Sequence, residues 1–201
     1  MVNRKNLKKK YALISVYNKT KLNILCKSLA SFDYGFISTG STGNAIRKFG
    51  FSCLDVSKIT NFKEILDGRV KTLNPKIYGS ILFLRDSYDH VKEFKSLNFP
   101  LIDIVVVNLY PFVDYYKKYK RNKVIEMIDI GGPSLIRAAS KNFRYVTAIN
   151  EIDDYSKLIR NLEKNKGETD YEFRKKMAAK TFKTTSKYDR LIYNWINDYK
   201  L

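Results

Sequence analysis

The sequence predicts an α/β fold built on a doubly wound, mainly parallel sheet, followed by a C-terminal helical extension. Short apolar segments rich in Val and Ile alternate along the chain with segments whose apolar residues recur every three or four positions. Segment 101–108 is a continuous apolar run interrupted only by Asp103, which is typical of a central parallel strand buried on both faces. The 201 residues are enough for about one domain, with a core that needs no disulfide or metal.

The elements follow in order from these patterns. Strands are predicted at residues 11–16, 35–38, 52–56, 77–84, 101–108 and 145–149. Helices are predicted at residues 22–29, 45–50, 122–127, 134–140 and 153–163, with Asn18 and Asp153 as candidate N-caps. The segment after Pro111 is expected to be a loop. Residues spaced three or four apart from Tyr171 to Trp195 indicate one face of a long C-terminal helix or helical pair.

The charge balance is strongly positive. Lys and Arg number 38 against 20 Asp and Glu, which gives a net charge of +18. Such an excess favours nucleic acid, acidic membranes or phosphorylated small molecules as partners. Because no nucleic-acid motif accompanies the charge, we interpret most of it as a compositional bias and expect no specific nucleic-acid partner. Residues 1–10 hold the dense basic run and are expected to be a solvated tail before a domain at 11–201.

The apolar stretches are far shorter than the roughly 20 residues of a membrane span, and no secretory signal follows the basic tail. We therefore expect a cytoplasmic protein with no membrane partner. Cys26 and Cys53 are expected to be reduced thiols. His90 is the one histidine, too few for a usual Cys/His zinc site, so acid–base chemistry must come from Lys, Asp, Glu or Tyr.

Polar residues follow the predicted strands at the edge where a parallel sheet binds its ligands. Tyr17, Asn18 and Lys19 follow the first strand. A Gly/Ser/Thr turn at residues 39–42 follows the second strand and opens a helix, where backbone N–H groups and the helix dipole suit a phosphate. Ordinary helix capping explains most turns of this kind, so both interpretations stay open.

Charged residues lie close to the same edge. Arg69 and Lys71 are two apart in a segment predicted to be extended, so they share one side and form either an anion clamp or a solvated edge. Asp129 and Lys141 are joined by a Gly-Gly-Pro turn and one short helix, so we expect their side chains to return to a common pocket. The helix N-terminus is expected to keep Asp129 ionised. Asn108 and Tyr110 follow the buried strand.

Several blocks of sequence, taken together, resemble the inosine monophosphate cyclohydrolase domain of the bifunctional purine-biosynthesis family. These blocks are SVYNKT at 15–20, STGST at 38–42, DGRVKTLNP at 67–75, VNLYPF at 107–112, IDIGGP at 128–133 and RAASKN at 137–142. The resemblance extends over about residues 11 to 197. It implies a five-stranded, methylglyoxal-synthase-like core to about residue 150 with a helical extension after it.

The resemblance also implies an activity. Family members close the purine ring: formamido-imidazole-carboxamide ribotide (FAICAR) loses water and becomes inosine monophosphate (IMP), with no metal or organic cofactor. The implied catalytic residues are Lys71, Tyr110, Asp129 and Lys141. The implied substrate-binding residues are Tyr17, Asn18, Lys19, Thr39, Gly40, Ser41, Thr42, Arg69, Val70, Thr72, Val107, Asn108 and Ile130.

The chemistry needs these residue types. A carboxamide nitrogen is a poor nucleophile, so a carboxylate must take its proton as the nitrogen attacks the formyl carbon. Asp129 suits that role. The formyl oxygen becomes an oxyanion before it leaves as water, so a cation and hydrogen-bond donors must face it. Lys141 and Lys71, with help from Tyr110, suit this second role.

The sequence departs from the family in several places. The family usually has Ser-Asp-Lys at 17–19, a second glycine at Ser41, and histidines at Asn74 and Tyr78. Members usually continue into a formyltransferase domain. We therefore expect one of two arrangements: the chain is free-standing and associates with a separate formyltransferase, or it is one domain of a longer protein. The resemblance also suggests that the chain forms a homodimer. The alternative functions are methylglyoxal synthase, for which His90 is poorly placed, and a non-catalytic nucleotide-sensing domain.

Overall fold

The computed structural model describes residues 9–66 and 68–198, so most of the basic tail and Asp67 lie outside the described residues. Five parallel strands form one sheet with the order β3-β2-β1-β4-β5. The strands are β1 Lys10–Val16, β2 Gly35–Ser38, β3 Cys53–Asp55, β4 Leu101–Asn108 and β5 Thr147–Ile149. The predicted doubly wound α/β fold is confirmed, and every strand pair in the sheet is parallel.

Helices connect and cover the strands. The described α-helices are α1 Leu22–Ser31, α2 Gly40–Lys48, α3 Val56–Thr60, α4 Pro75–Leu82, α5 Tyr88–Ser96, α6 Phe112–Lys118, α7 Arg121–Glu126, α8 Gly131–Lys141, α9 Tyr155–Lys164 and α10 Tyr171–Asn197. A short 3-10 turn at Ile152–Asp154 precedes α9. Within residues 9–66 and 68–198, no helix is both long and apolar enough to cross a membrane.

Two apolar cores pack on the two faces of the sheet. Successive side chains of a strand point to opposite faces, so Ile14 of β1 joins one core and Leu13 joins the other. The first core is covered by α1 and α9, and the second by α4 and α8. Both faces of β1 and β4 are therefore buried, which explains the continuous apolar run of β4.

The segment 77–84, predicted to be a strand, is helix α4 instead. Asn74 caps this helix by accepting the Lys76 N–H at 2.9 Å, and Pro75 occupies the first turn, where its fixed φ and missing N–H are tolerated. Ile77, Ser80 and Ile81 are its buried residues, a helical spacing. A short apolar run bounded by a cap and a proline is ambiguous by periodicity alone, and the cap decides it.

Other boundaries also differ from the predictions. The loop expected after Pro111 contains α6, and the strand predicted at 52–56 is shorter because Val56 begins α3. Asn18 caps no helix: its side chain accepts the Thr20 N–H at 2.9 Å in a local turn, and α1 begins only at Leu22. Asp153 lies within the 3-10 turn, so it does not cap α9.

The C-terminal segment is a single 27-residue helix, α10. Its buried residues Met177, Ala178, Thr181, Thr185 and Tyr188 recur every three or four positions and face α8 and β5, as the periodicity predicts. Through this face α10 covers the part of the molecule that carries residues 129–141. The helical extension therefore packs against α6 and α8 as well as against strand β5.

Candidate functional site

A cavity of about 800 Å³ opens at the carboxyl ends of β1, β2 and β4, between the N-termini of α2 and α8. The strand register creates it, because Val16 of β1 lies beside Asn108 of β4 and Ile14 lies beside Ser38 of β2. Most of the predicted site residues line it, namely Tyr17, Lys19, Thr39, Gly40, Ser41, Thr42, Arg69, Lys71, Thr72, Asn108, Tyr110, Asp129 and Ile130. Asn18, Val70, Val107 and Lys141 do not.

The N-terminus of α2 forms one wall of the cavity. Thr39 is its N-cap residue and makes no side-chain cap bond, so the first amide groups of the helix have no cap of that kind. Gly40, the first helical residue, has φ +48°, a conformation that favours glycine. Lys19 also lines the cavity, and its Nζ donates to the Tyr17 carbonyl at 3.4 Å. The cavity is therefore lined by both the start of a helix and an ammonium group.

The Thr42 side chain holds this wall in place. Its hydroxyl donates to the Val16 carbonyl at 3.0 Å and accepts the Val16 N–H at 3.1 Å. Because one hydroxyl carries one proton, that donor is already used, and Thr42 is buried. The residue fastens the end of β1 to the start of α2 and can offer a ligand only its backbone.

Gly68 and Arg69 lie in a turn, so the extended segment predicted for Arg69 and Lys71 is not formed. Ile65 and Val70 form an isolated antiparallel bridge, and Gly68 has φ +87°. Val70 takes part in this bridge and does not line the cavity. Arg69 and Lys71 both line the cavity.

Each of these cations is paired with a carboxylate in the cavity wall. Lys71 forms an ion pair with Glu64. Arg69 forms a two-pronged pair with Glu126 of α7, with its Nε donating to Oε2 at 3.1 Å. Lys71 also lies beside the start of α2, since a Cβ added at Gly40 would stand 3.4 Å from its Nζ. An entering anion must therefore compete with two internal carboxylates.

Asp129 forms the opposite wall at the start of α8. Its Oδ1 accepts the Gly132 N–H at 2.8 Å. Gly132 leaves no room for a side chain, because an added Cβ would collide with the Asp129 carboxylate. Thr72 lies beside the same helix start, 3.1 Å from the Cβ position of Gly131. The Gly-Gly pair thus lets Asp129 and Lys71-Thr72 approach the helix terminus closely.

Burial opposes the expected effect of the helix start, which favours the ionised form of Asp129 through the Gly132 N–H. Burial raises the pKa of the Asp129 carboxyl, and the hydrogen bond from the Gly132 N–H only partly opposes that effect. The result is a carboxylate that holds a proton more strongly than an exposed Asp does. This is the direction that suits a general base near neutral pH.

Aromatic rings line the remaining rim. The Tyr110 ring centroid is 5.0 Å from that of Tyr17 and 6.2 Å from that of Tyr115. Tyr110 and Tyr17 are exposed at 40% and 47%, and the Tyr17 side chain also forms a hydrogen bond with Tyr115. The Tyr17 ring, a departure from the family pattern, is thus packed against a residue implied to be catalytic.

Asn108 has a structural role in the site. Its Oδ1 accepts the Asn18 N–H at 3.0 Å, and its Nδ2 donates to the Asn18 carbonyl at 3.1 Å. The Asn108 amide therefore holds the loop between β1 and α1, which carries Tyr17 and Lys19, through the backbone of Asn18. Asn18 itself does not line the cavity. Val107 is buried in the core on one face of the sheet and does not reach the cavity.

Lys141 is not brought to the cavity, so the expectation of a common pocket with Asp129 is wrong for this structure. Asp129 precedes the first residue of α8, whereas Lys141 is its last residue and is exposed. An 11-residue helix is about 15 Å long, which places the two side chains at opposite ends. The spacing of twelve residues would allow a return only if the helix were broken.

Three residues of the site escaped the sequence analysis. Glu64 and Glu126 pair with the two cations, and Tyr188 of α10 accepts the Asp129 N–H at 2.8 Å. Arg69 and Glu126 are 57 positions apart, so no local spacing reveals their contact. Tyr188 gave a signal as an apolar position of the C-terminal helix and as part of a Lys-Tyr-Asp block at 187–189 that resembles the family, but neither signal pointed to Asp129.

Comparisons with known proteins agree with the resemblance. Residues 21–134 match the family model described as "MGS-like domain", and residues 139–201 match the one described as "AICARFT/IMPCHase bienzyme". The chain is 46% identical over 187 residues to the bifunctional purine biosynthesis protein PurH of Rhizobium rhizogenes and 44% identical over 191 residues to PurH of Fusobacterium nucleatum. These alignments cover 92% and 94% of this chain but 35% and 38% of the relatives.

The chain therefore spans about a third of the length of the curated relatives it matches. A solved crystal structure of ForH superposes with a TM-score of 0.78 at 26% sequence identity, covering 92% of this chain and 98% of that chain. That superposition extends beyond the sheet to the helical extension, since so little of either chain is left unmatched.

Proposed function

The chain belongs to the MGS-like domain family and carries an AICARFT/IMPCHase segment, and from that membership we propose that it is an IMP cyclohydrolase that closes the ring of FAICAR to give IMP. The coarser statement, that the chain is related to enzymes of purine biosynthesis, rests on the PurH relatives. The observation that supports this finer statement is the Asp129 carboxylate, which lies partly buried at the start of α8 in a cavity that it shares with Lys71 and Tyr110.

Ring closure forms a bond between the carboxamide nitrogen and the formyl carbon and then expels the formyl oxygen as water. The two protons of that water come from the carboxamide nitrogen and from the formamide nitrogen. Asp129 takes the first proton as the nitrogen attacks. Its raised pKa makes it a stronger base than an exposed Asp, and the Gly132 N–H keeps its Oδ1 in a fixed position.

The developing oxyanion needs positive charge and a donor. Lys71 supplies the charge once it turns from Glu64, and Tyr110 supplies a phenol hydroxyl from the rim. Lys141 ends α8 and does not line the cavity, so this proposal gives it no role in the step.

The phosphate of the nucleotide binds where α2 begins. Backbone N–H groups at residues 40–42 point to the cavity end of this nine-residue helix, and Lys19 adds a charge. The ribose and the imidazole ring then extend toward Asp129. The implied roles of Arg69, Thr72, Asn108 and Ile130 as nucleotide contacts stay part of this proposal, since all four line the cavity.

The partners and the setting follow from the same proposal. A formyl-transferring enzyme must supply FAICAR, and the bifunctional relatives suggest that such an enzyme works beside this domain. Homodimerisation and a cytoplasmic location remain part of the proposal. The described residues contain no group of three or more His, Cys, Asp or Glu side chains that is placed to hold a metal ion.

The test is direct conversion of the substrate. The purified chain is incubated with FAICAR, and the absorbance change of ring closure is followed, with IMP identified by mass spectrometry. We expect catalytic turnover that IMP inhibits. If the chain binds IMP and does not accelerate closure, it is a nucleotide-sensing domain and the proposal fails.

A further inference from the structure

Helix α10 contacts the backbone of Asp129 through the hydroxyl group of Tyr188. The Tyr188 hydroxyl accepts the backbone N–H of Asp129 at 2.8 Å, and Tyr188 is 6% exposed. Asp129 lies in the short connection between α7 and α8, where the backbone has no strand or helix ladder to hold it. This bond from α10 therefore fixes a residue that its own neighbours leave loosely held.

Tyr188 is itself held rigidly. Its ring packs edge-on against Phe112 with 6.2 Å between the centroids, in a small core that also contains Val124. Phe112 begins α6, two residues after Tyr110. Burial raises the pKa of Tyr188 to about 12, so its hydroxyl is neutral over the working pH range. One buried phenol thus joins the segments that carry Tyr110 and Asp129.

We propose that Tyr188 is a positioning residue for Asp129, whose hydroxyl sets the direction of the carboxylate that abstracts the carboxamide proton. This inference rests on the proposed cyclohydrolase activity. Two hydrogen bonds define the geometry: the Asp129 N–H donates to Tyr188, and the Gly132 N–H donates to the Asp129 carboxylate. The first holds the backbone, so that the second can form at the right angle.

Loss of the Tyr188 hydroxyl is expected to change the pKa of Asp129 as well as kcat. Without the first bond the backbone of Asp129 is freer, and the bond from the Gly132 N–H weakens. That bond favours the ionised carboxylate and lowers its pKa, so its weakening raises the pKa of Asp129 further. The acidic limb of the pH–rate profile then moves to higher pH.

Other titratable groups face Asp129 and must be separated from it. Burial and, secondarily, the charge of Asp129 raise the pKa of Tyr78 in α4, so this phenol also stays neutral. Five other charged side chains line the same cavity: Lys19, and the two ion pairs of Glu64 with Lys71 and Glu126 with Arg69. Because two of the five are carboxylates, the pKa of Asp129 has to be measured at its own carboxyl carbon.

The experiment compares Tyr188→Phe with a matched control, Tyr34→Phe. Tyr34 is also buried, and its hydroxyl donates to the Gly167 carbonyl at 3.2 Å, but it does not line the cavity. For Tyr188→Phe we expect a kcat lower by about 10- to 100-fold with KM and IMP affinity nearly unchanged, since misplacing a reacting group costs rate more than binding. Tyr34→Phe is expected to keep kcat and the acidic limb.

Two readouts decide the result. NMR titration of the Asp129 carboxyl carbon should give a higher pKa in Tyr188→Phe than in the unchanged protein, and the acidic limb of kcat/KM should move the same way. If the unchanged protein does not close the ring, the proposed function fails and this role with it. If the unchanged protein is active and Tyr188→Phe matches it in kcat and in the pKa of Asp129, only the role of Tyr188 is refuted.

A folding defect would not hide the answer. If Tyr188→Phe melts below the assay temperature, 3-fluorotyrosine incorporated at position 188 keeps the ring and weakens the hydroxyl as an acceptor. We then expect a smaller loss of kcat and a smaller rise of the Asp129 pKa. Unchanged values of both in the folded fluorotyrosine protein would overturn the proposal.

Discussion

At the scale of single residues, the site depends on the absence of a side chain at Gly132. A Cβ there would collide with the Asp129 carboxylate. We predict that Gly132→Ala displaces the carboxylate and lowers turnover by about 10- to 100-fold, because small misplacements of a reacting group are costly. The measurement is kcat for ring closure, with circular dichroism to check that the fold is retained.

The control is a Gly-to-Ala substitution in a different helix, α2. Gly43 lies inside α2, and the atoms nearest to a Cβ added there belong to the end of the Arg47 side chain, 3.3 Å away or more. Gly43→Ala should keep turnover and gain up to about 1 kcal/mol of helix stability, since Ala is the better helix former. Equal losses of turnover in both variants would show that helix perturbation, and not the position of Asp129, causes the effect.

The residues of the site were partly predictable. Lys71, Tyr110 and Asp129 lie in blocks of distinctive sequence, and all three line the cavity. Thr42 and Asn108 were expected to bind ligand, yet their side chains are engaged with the backbone of Val16 and Asn18. Contacts of that kind join positions far apart in the chain, and no motif or period carries information about them.

At the scale of elements, the cap of α10 links helix stability to pH. The Asp170 carboxylate accepts the Phe173 N–H at 2.8 Å and also a bond from Asn161 Nδ2 at 2.7 Å. The bond from the Phe173 N–H is the largest cause that lowers the pKa of Asp170. A lowered folded-state pKa means that this stabilisation is present above the ordinary pKa of 3.8 and is lost as the pH falls through the lowered value.

We predict that Asp170→Ala lowers the free energy of unfolding by about 0.5–2 kcal/mol at neutral pH, the usual loss for an N-cap. The difference from the unchanged protein should shrink in acid, as Asp170 becomes protonated there. Urea unfolding at a series of pH values measures it. Asp153→Ala is the control: this exposed carboxylate caps no helix, so its removal should change stability by less than about 0.5 kcal/mol.

The element boundaries show which parts of the secondary structure sequence patterns do not predict. The strands at 35–38 and 101–108 and the long α10 were predicted correctly because each has a strong period or a continuous apolar run. The segment 77–84 is a short run of mostly apolar residues whose spacing does not separate helix from strand, and the cap that Asn74 provides decides for the helix. The strand order likewise follows from packing of helices on both faces, which no single segment encodes.

At the scale of the whole molecule, the net charge of +18 is the dominant property. In the cavity, however, the carboxylates Glu64 and Glu126 pair with Lys71 and Arg69, so the surplus positive charge is not concentrated there. If the surplus is compositional, duplex DNA should bind weakly and without sequence preference, and lose nearly all affinity by about 0.15 M salt. Filter binding over a salt series measures this. Sequence-selective binding that persists at that salt concentration would contradict the enzyme account.

The most direct test of the whole account replaces the base and keeps the shape. Asp129→Asn should retain the fold and bind IMP within about threefold of the unchanged protein, but lower kcat by about 100-fold or more, the range for a positioned general base. Binding is followed by the rise in melting temperature that a native-state ligand causes. Turnover near that of the unchanged protein, in a folded Asp129→Asn variant that still binds IMP, would contradict the account.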